Sequence, residues 1–185
     1  GLASHLARPI PKRRMGSRFW LMLRCWVLGA FRLPISSRVT IHGNSMQPNL
    51  RPNDYVLVNQ SSYTTEAPKR GDVVVLHDPS SPRVICVKRV VGLPGEHIRL
   101  YKGRTFINDT LLPEPYVLMP PLHPNQHTSE WHLGAAYFVL GDDRSDSRDS
   151  RYFGPVLLNQ FIGRVWARYW PLDVWGCIHR PIYPI

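Results

Sequence analysis

Beyond about residue 38, apolar and polar positions follow the short period of β-strands, and the helix-like period disappears. Turn-forming segments such as 51–54 and 93–96 separate the apolar runs. Short strands spaced in this way are typical of an all-β sandwich or a partly open barrel. We therefore predict strands at residues 38–43, 55–59, 72–77, 84–91, 97–101, 105–107, 137–140 and 162–169.

The predicted fold is mainly β, with one domain over residues 38–175. A chain of 185 residues has room for this domain and one short additional segment. Residues 113–131 are rich in Pro, His and polar side chains. We therefore predict a long loop there, within an insertion around residues 97–136.

The chain begins with a basic tail, residues 1–18, and continues into an apolar stretch that we predict to be helical over residues 19–35. Arg24 and Arg32 interrupt this stretch, which is shorter than the roughly 20 residues that cross a bilayer. A marginal membrane anchor is the favoured interpretation. An amphipathic helix in the membrane plane and an ordinary core helix remain alternatives.

Charge favours an anionic partner, because 23 Lys and Arg residues stand against 13 Asp and Glu, a net charge of +10. The basic residues are not interleaved with aromatic ones as in a base-stacking surface, so we expect membrane lipid rather than nucleic acid. If the apolar stretch spans, the positive-inside rule puts the tail in the cytoplasm and the β domain outside.

A candidate nucleophile, Ser45, follows the first predicted strand, between Gly43 and Pro48. A sharp turn would leave its hydroxyl and N–H at a rim, although most serines in turns are structural. Lys88 is a candidate base, because strand alternation places it on one face with Cys86 and Val90. Burial there would lower the lysine pKa from about 10.4, whereas an edge-guarding lysine would stay charged.

The charged segment 141–155 contains four aspartates and three arginines. It lacks the glycine and glutamate of an EF-hand loop, so we expect an ion-pair network and no bound metal. The three cysteines are far apart and include no Cys-x-x-Cys pair, which gives no indication of a zinc site.

These segments resemble, in order, the motifs of the type I signal peptidases. That family has a Ser-Met-x-Pro motif, a Gly-Asp-Val/Ile motif, a Lys-Arg-Val-x-Gly-Leu-Pro-Gly motif and a Gly-Asp-Asn-Arg…Ser-x-Asp-Ser-Arg-Tyr-x-Gly motif. The matching segments here are 43–50, 71–76, 88–96 and 141–154. The resemblance implies the β-barrel-type catalytic fold that this family shares with LexA-like proteases.

Roles follow from the resemblance residue by residue. It implies that Ser45 is the nucleophile, that Lys88 is the general base and that the Ser147 hydroxyl orients the lysine. The positions that match pocket walls are Ile41, Met46, Leu50 and Val87. The positions that match the charged scaffold are Arg89, Asp142, Arg144, Asp149 and Arg151.

Two positions depart from the family pattern. Gly43 stands where many members have a serine that adds an oxyanion donor, so backbone donors such as the Ser45 N–H would have to suffice. Asp143 replaces the usual Asn and adds a negative charge.

The implied activity is that of a serine endopeptidase of the bacterial plasma membrane. Such an enzyme removes signal peptides from exported preproteins after small residues, through an acyl-enzyme and without a cofactor. A LexA-type Ser–Lys protease is an alternative, but the first 38 residues are too short for a helix-turn-helix module. A non-enzymatic basic β module is a second alternative, which salt-dependent nucleic-acid binding would support.

Overall fold

The structure, a computed structural model, describes residues 36–117 and 128–183. The basic tail and the apolar helix predicted within residues 1–35 lie outside the described residues, as do residues 118–127. No helix in the described ranges combines the length and the apolar character needed to cross a bilayer.

Antiparallel strands make up most of the described residues. In chain order they are β1 (Ser36–Thr40), β2 (Tyr55–Asn59), β3 (Val73–Asp78), β4 (Ser81–Gly92), β5 (His97–Tyr101), β6 (Arg104–Ile107), β7 (Thr110–Leu111), β8 (Ser129–His132), β9 (Phe138–Leu140), β10 (Phe161–Trp170) and β11 (Gly176–Cys177). The larger sheet has the order β1-β2-β10-β3-β4-β9, with β11 paired to β10. The smaller sheet has the order β7-β6-β5-β8.

Helical structure among the described residues consists of short turns. These are α1 (Ser62–Thr65), α2 (Ser150–Phe153) and the 3-10 turns Leu158–Gln160 and Leu172–Val174. The side chain of Asp149 caps α2 by accepting a hydrogen bond from the backbone N–H of Arg151. Such a cap satisfies a donor that would otherwise lack an intrahelical partner.

The prediction of a mainly β fold is confirmed, and each predicted strand is present within a few residues of its expected bounds. The predicted loop over residues 113–131 was wrong at its end, because β8 begins at Ser129 and pairs with β5. The side chains of β8 are mostly exposed, so this edge strand lacks the apolar pattern by which the other strands were predicted. Trp131 anchors it by packing on Phe138, with ring centroids 4.7 Å apart.

Strand β3 lies inside the larger sheet and is covered on both faces. Val73 and Val75 belong to one hydrophobic cluster, whereas Val74 and Leu76 belong to another. Because alternate side chains of a strand point to opposite faces, this uninterrupted apolar run reflects burial on both sides. Strand β4 runs antiparallel to β3 and places Lys88 opposite Val74.

Candidate active site

Ser45 and Lys88 are in direct contact, although 43 positions separate them in the sequence. The Nζ atom of Lys88 donates a hydrogen bond of 2.7 Å to the Oγ atom of Ser45. Both residues line one cleft, between the end of β1 and strand β4. The fold therefore holds an amine and a hydroxyl at a distance suited to proton transfer.

Lys88 is almost completely buried, with 4% of its surface exposed. Burial lowers the pKa of its amine from the ordinary 10.5, while Cys86 and Asp149 act in the opposite direction and Arg151 acts in the same direction as burial. The burial predicted from strand alternation is confirmed. An amine with a lowered pKa is neutral in a larger fraction of molecules near pH 7, and only the neutral amine accepts a proton.

The turn after β1 holds Ser45 at the edge of the cleft. The backbone N–H of Ile41 donates to the Asp54 carbonyl at 2.9 Å, which closes the base of the turn. Met46 and Leu50, each 1% exposed, anchor the turn in the core, and the Leu50 N–H donates to the Met46 carbonyl at 2.9 Å. Ser45 itself stays partly exposed.

Asp149 organises the loop beside this pair of residues. Its buried carboxylate accepts hydrogen bonds from Ser147 Oγ at 2.7 Å, from the Gly141 N–H at 2.9 Å and from Arg151 Nε at 2.8 Å. The resemblance implied that the Ser147 hydroxyl orients Lys88. Here the hydroxyl donates to the carboxylate, a strong acceptor, and the hydrogen bonds of the described residues include none between Ser147 and Lys88.

Arg89 and Asp142 form a buried ion pair next to Lys88. Arg89 Nε and Nη2 bind the two carboxylate oxygens at 2.7 and 2.6 Å, and Nη1 donates to the Gly71 carbonyl at 3.0 Å. The Arg89 guanidinium also lies 4.3 Å from the centroid of the Tyr116 ring. This bidentate pair joins β4, which carries Lys88, to the charged loop that begins at Gly141.

Arg144 extends the scaffold to a residue that sequence reasoning missed. Its Nε donates to the Gly141 carbonyl at 3.0 Å, and its guanidinium forms a buried, bidentate pair with Glu114. Glu114 and Tyr116 lie in the segment predicted as a loop, where no local pattern points to a charged partner.

Asp143 has a local structural role. Its carboxylate accepts hydrogen bonds from the N–H and hydroxyl of Ser145 and from the N–H of Asp146. The hydrogen bond from the Ser145 side chain is the main reason that the pKa of Asp143 is lowered. Its own N–H donates to the Ser45 carbonyl at 3.0 Å, so the charged loop is joined to the turn of Ser45.

The cleft has a volume of about 570 Å³ and largely apolar walls. Three of the four predicted pocket residues, Ile41, Met46 and Val87, line it. Leu50 is not among the residues that line this cleft, and its side chain packs in the adjoining hydrophobic cluster. Further residues of the wall were not predicted from sequence, among them Val75, Cys86 and Ile162.

Comparison with known proteins extends this description. The family model described as "Signal peptidase, peptidase S26" matches residues 15–170. The chain belongs to the signal peptidase family, peptidase S26. Signal peptidase I of Bacillus caldolyticus is 35% identical over 86% of this chain and 93% of its own length. Signal peptidase I of Leptolyngbya laminosa is 37% identical over 76% of this chain and 72% of its own length.

Among solved structures, a signal peptidase I from Enterococcus faecalis V583 is 30% identical. It covers 54% of this chain and 97% of its own, with a TM-score of 0.46. Family membership rests on the matched family model and on the curated relatives. Members of the family are serine peptidases, and this chain is accordingly a serine endopeptidase of the signal peptidase I type.

Gly141 occupies a position of this peptidase where no side chain fits. A Cβ atom there would lie 2.2 Å from Ser147 Oγ and 2.6 Å from the Ser45 carbonyl oxygen. The glycine therefore lets the charged loop approach the turn of Ser45. Sequence reasoning found this residue only as part of a motif, since glycines follow buried strands in turns of many kinds.

We expect Gly141→Ala to reduce kcat by at least about 100-fold, because the added methyl group must displace Ser147 or the Ser45 backbone. Steady-state cleavage of a preprotein measures this effect. Gly176→Ala is the matched control, since a Cβ there meets no atom within 4 Å. A Gly141→Ala enzyme with the parent kcat would contradict the expectation that activity depends on the close approach of the charged loop to the turn of Ser45.

We also expect Lys88→Met to be more stable to urea than the parent at pH 7. Because burial lowers the pKa of Lys88, the unfolded chain binds more protons than the folded one between the lowered pKa and 10.5, and parent stability rises with pH over that range. The advantage of the variant should therefore shrink as the pH approaches 10.5. Lys69→Met, at an exposed lysine, is the matched control. A Lys88→Met variant less stable than the parent at pH 7 would contradict the expectation that burial of the Lys88 amine destabilises the folded protein.

Proposed function

We propose that Ser45 is the nucleophile and Lys88 the general base of this signal peptidase, which cleaves signal peptides from preproteins. The observation that supports this assignment best is the 2.7 Å contact between a buried amine and a partly exposed hydroxyl at the edge of a cleft. Family membership supports the same chemistry, because the signal peptidases of this family are serine peptidases.

In the proposed reaction, the neutral amine of Lys88 takes the proton of Ser45 as Oγ attacks the scissile carbonyl carbon. The ammonium then gives this proton to the leaving nitrogen, the C–N bond breaks, and the acyl group remains on Oγ as an ester. The same amine then takes a proton from a water molecule as the water oxygen attacks the ester carbonyl carbon. The C–Oγ bond breaks, the ammonium returns the proton to Oγ, and the acyl group leaves as a carboxylic acid.

The oxyanion in this proposal is stabilised by the backbone N–H of Ser45. Gly43 has no hydroxyl to contribute as a second donor. The hydrogen bond from the Asp143 N–H to the Ser45 carbonyl limits motion of the nucleophile backbone. A fixed donor needs no reorientation as charge develops, which makes even a small oxyanion hole effective.

Ser147 acts in this scheme as a positioning residue. Because its proton is directed at Asp149, the lone pairs of its oxygen remain available to the ammonium that Lys88 becomes during the reaction. Asp149 is held by Arg151, and the Gly141 end of the loop is held by Arg144. The Arg89–Asp142 pair fixes the strand that carries Lys88.

The substrate in this proposal is a signal peptide with small side chains at the first and third positions before the cut. The cleft supports this choice, since its walls are formed by apolar side chains such as Ile41, Met46 and Val87. In this proposal the apolar walls select small substrate side chains by their shape.

We expect Ser45→Ala and Lys88→Ala each to lower kcat/KM for a preprotein with an Ala-x-Ala site by at least about 1000-fold. The reason is that the nucleophile and its base act as one unit, so that loss of either residue removes the function of both. Gel analysis of the cleaved preprotein measures this loss. Ser36→Ala and Lys69→Ala, at exposed positions, serve as controls. Parent-level cleavage by either dyad variant would remove that residue from the proposed mechanism.

Signal peptidases of this family are membrane-associated in general, and we propose membrane lipid as a second partner. At the end of β10 the exposed apolar side chains are Trp170, Leu172, Val174 and Trp175. Exposed tryptophans of this kind suit the interface between headgroups and acyl chains. With residues 19–33 as an anchor, we propose a single-pass protein of the bacterial plasma membrane, its tail inside and its catalytic domain outside.

We expect brominated phospholipid in vesicles to quench part of the tryptophan fluorescence of the full chain, and Trp170→Phe/Trp175→Phe to lose part of that quenching. The reason is that both side chains are about half exposed on the proposed contact surface. Trp131→Phe, in the smaller sheet, should retain the full effect. Equal quenching of the parent and the double variant would exclude this surface from the membrane.

A further inference from the structure

We propose that residues 178–183, here called the C-terminal strap, hold the part of β4 that carries Lys88 in place. Arg180 and Tyr183 are its positioning residues. This inference rests on the proposed role of Lys88 as a general base. At one end of the strap, Ile178 packs against the hydrophobic cluster that contains Met46. At the other end, Tyr183 packs against the cluster that contains Val91.

The first attachment of the strap is an ion pair with a buried carboxylate. Arg180 Nε donates to Asp72, which is 1% exposed. The other oxygen of Asp72 accepts the Lys69 N–H at 2.9 Å and the Tyr63 hydroxyl at 3.2 Å. Arg180 therefore ties the strap to the loop that precedes β3.

That loop is bonded directly to the residues that follow Lys88. The Gly71 N–H donates to the Val90 carbonyl at 2.8 Å, and the Val90 N–H donates to the Asp72 carbonyl at 2.8 Å. Arg89 Nη1 donates to the Gly71 carbonyl at 3.0 Å. The two residues after the proposed base are thus held by the loop that Arg180 secures.

The second attachment is close packing on Gly71. This residue has a φ of +87°, and a Cβ atom there would lie 2.8 Å from Pro181 Cδ and 3.1 Å from Tyr183 Cε2. Burial raises the pKa of Tyr183, which lies near Tyr116 and Arg89. The end of the strap therefore covers the same loop and the Arg89 side of the scaffold.

The strap contributes no residue to the wall of the substrate cleft. Releasing it should therefore leave substrate binding nearly intact while it lets β4 and water move around the amine of Lys88. Better hydration of that amine raises its pKa toward the ordinary value. The acid limb of the rate profile would then move to higher pH.

The test compares Arg180→Ala, Arg180→Lys and the parent in cleavage of a preprotein with an Ala-x-Ala site over a pH series. We expect Arg180→Ala to lower kcat about 10-fold with little change in KM, and to shift the acid limb to higher pH. Arg180→Lys keeps the charge beside Asp72 and should recover most of the activity. Arg99→Ala, which removes a surface ion pair with Asp109 in the smaller sheet, is the matched control.

Rates are expressed per folded molecule, with the folded fraction taken from denaturation curves of each variant. If Arg180 only stabilised the fold, Arg180→Ala would lower the folded fraction without moving the acid limb of the pH–rate profile, and this result would contradict the strap proposal. Parent-like kcat and pH profile in Arg180→Ala would overturn the strap proposal while the dyad remains supported by loss of activity in Ser45→Ala. Activity in Ser45→Ala would instead overturn the proposed mechanism.

Discussion

A lysine can act as a base near neutral pH only if its surroundings lower the pKa of its amine, and in this peptidase burial is the main influence that lowers the pKa of Lys88. Strand β4 places Lys88 opposite Val74 in a sheet whose neighbouring residues are largely apolar. Burial is the largest influence on the pKa of the amine. The surroundings therefore have to exclude water and still leave Ser45 accessible to a substrate. The turn after β1 does this by burying Met46 and exposing Ser45 at the cleft.

Charged groups close to the amine are arranged in pairs, and their effects on it partly cancel. Asp149 and Asp142 raise the pKa of Lys88, whereas Arg151 lowers it. Buried ion pairs of this kind contribute little net stability, because desolvation offsets most of their attraction. Their value here is geometric. They fix the loop from Gly141 to Arg151 against the turn of Ser45 without adding a strong charge of either sign near the proposed base, Lys88.

The strands and the alternation around Lys88 could be predicted from sequence because they depend on local periodicity. Contacts made over long sequence distances could not. Glu114 pairs with Arg144 from a segment without a recognisable pattern. The direction of the Ser147 hydroxyl depends on which acceptor lies nearest in three dimensions. Family motifs name such residues, but packing decides what each one touches.

The folded sheet lowers the pKa of the Lys88 amine below the value that a lysine has in water. An NMR titration of the protein labelled with 13C and 15N lysine tests it directly, with the Lys88 signal assigned by its loss in Lys88→Arg. We expect the Lys88 amine to titrate below 10.5, because burial lowers its pKa. A Lys88 amine that titrates at or above 10.5 would contradict it.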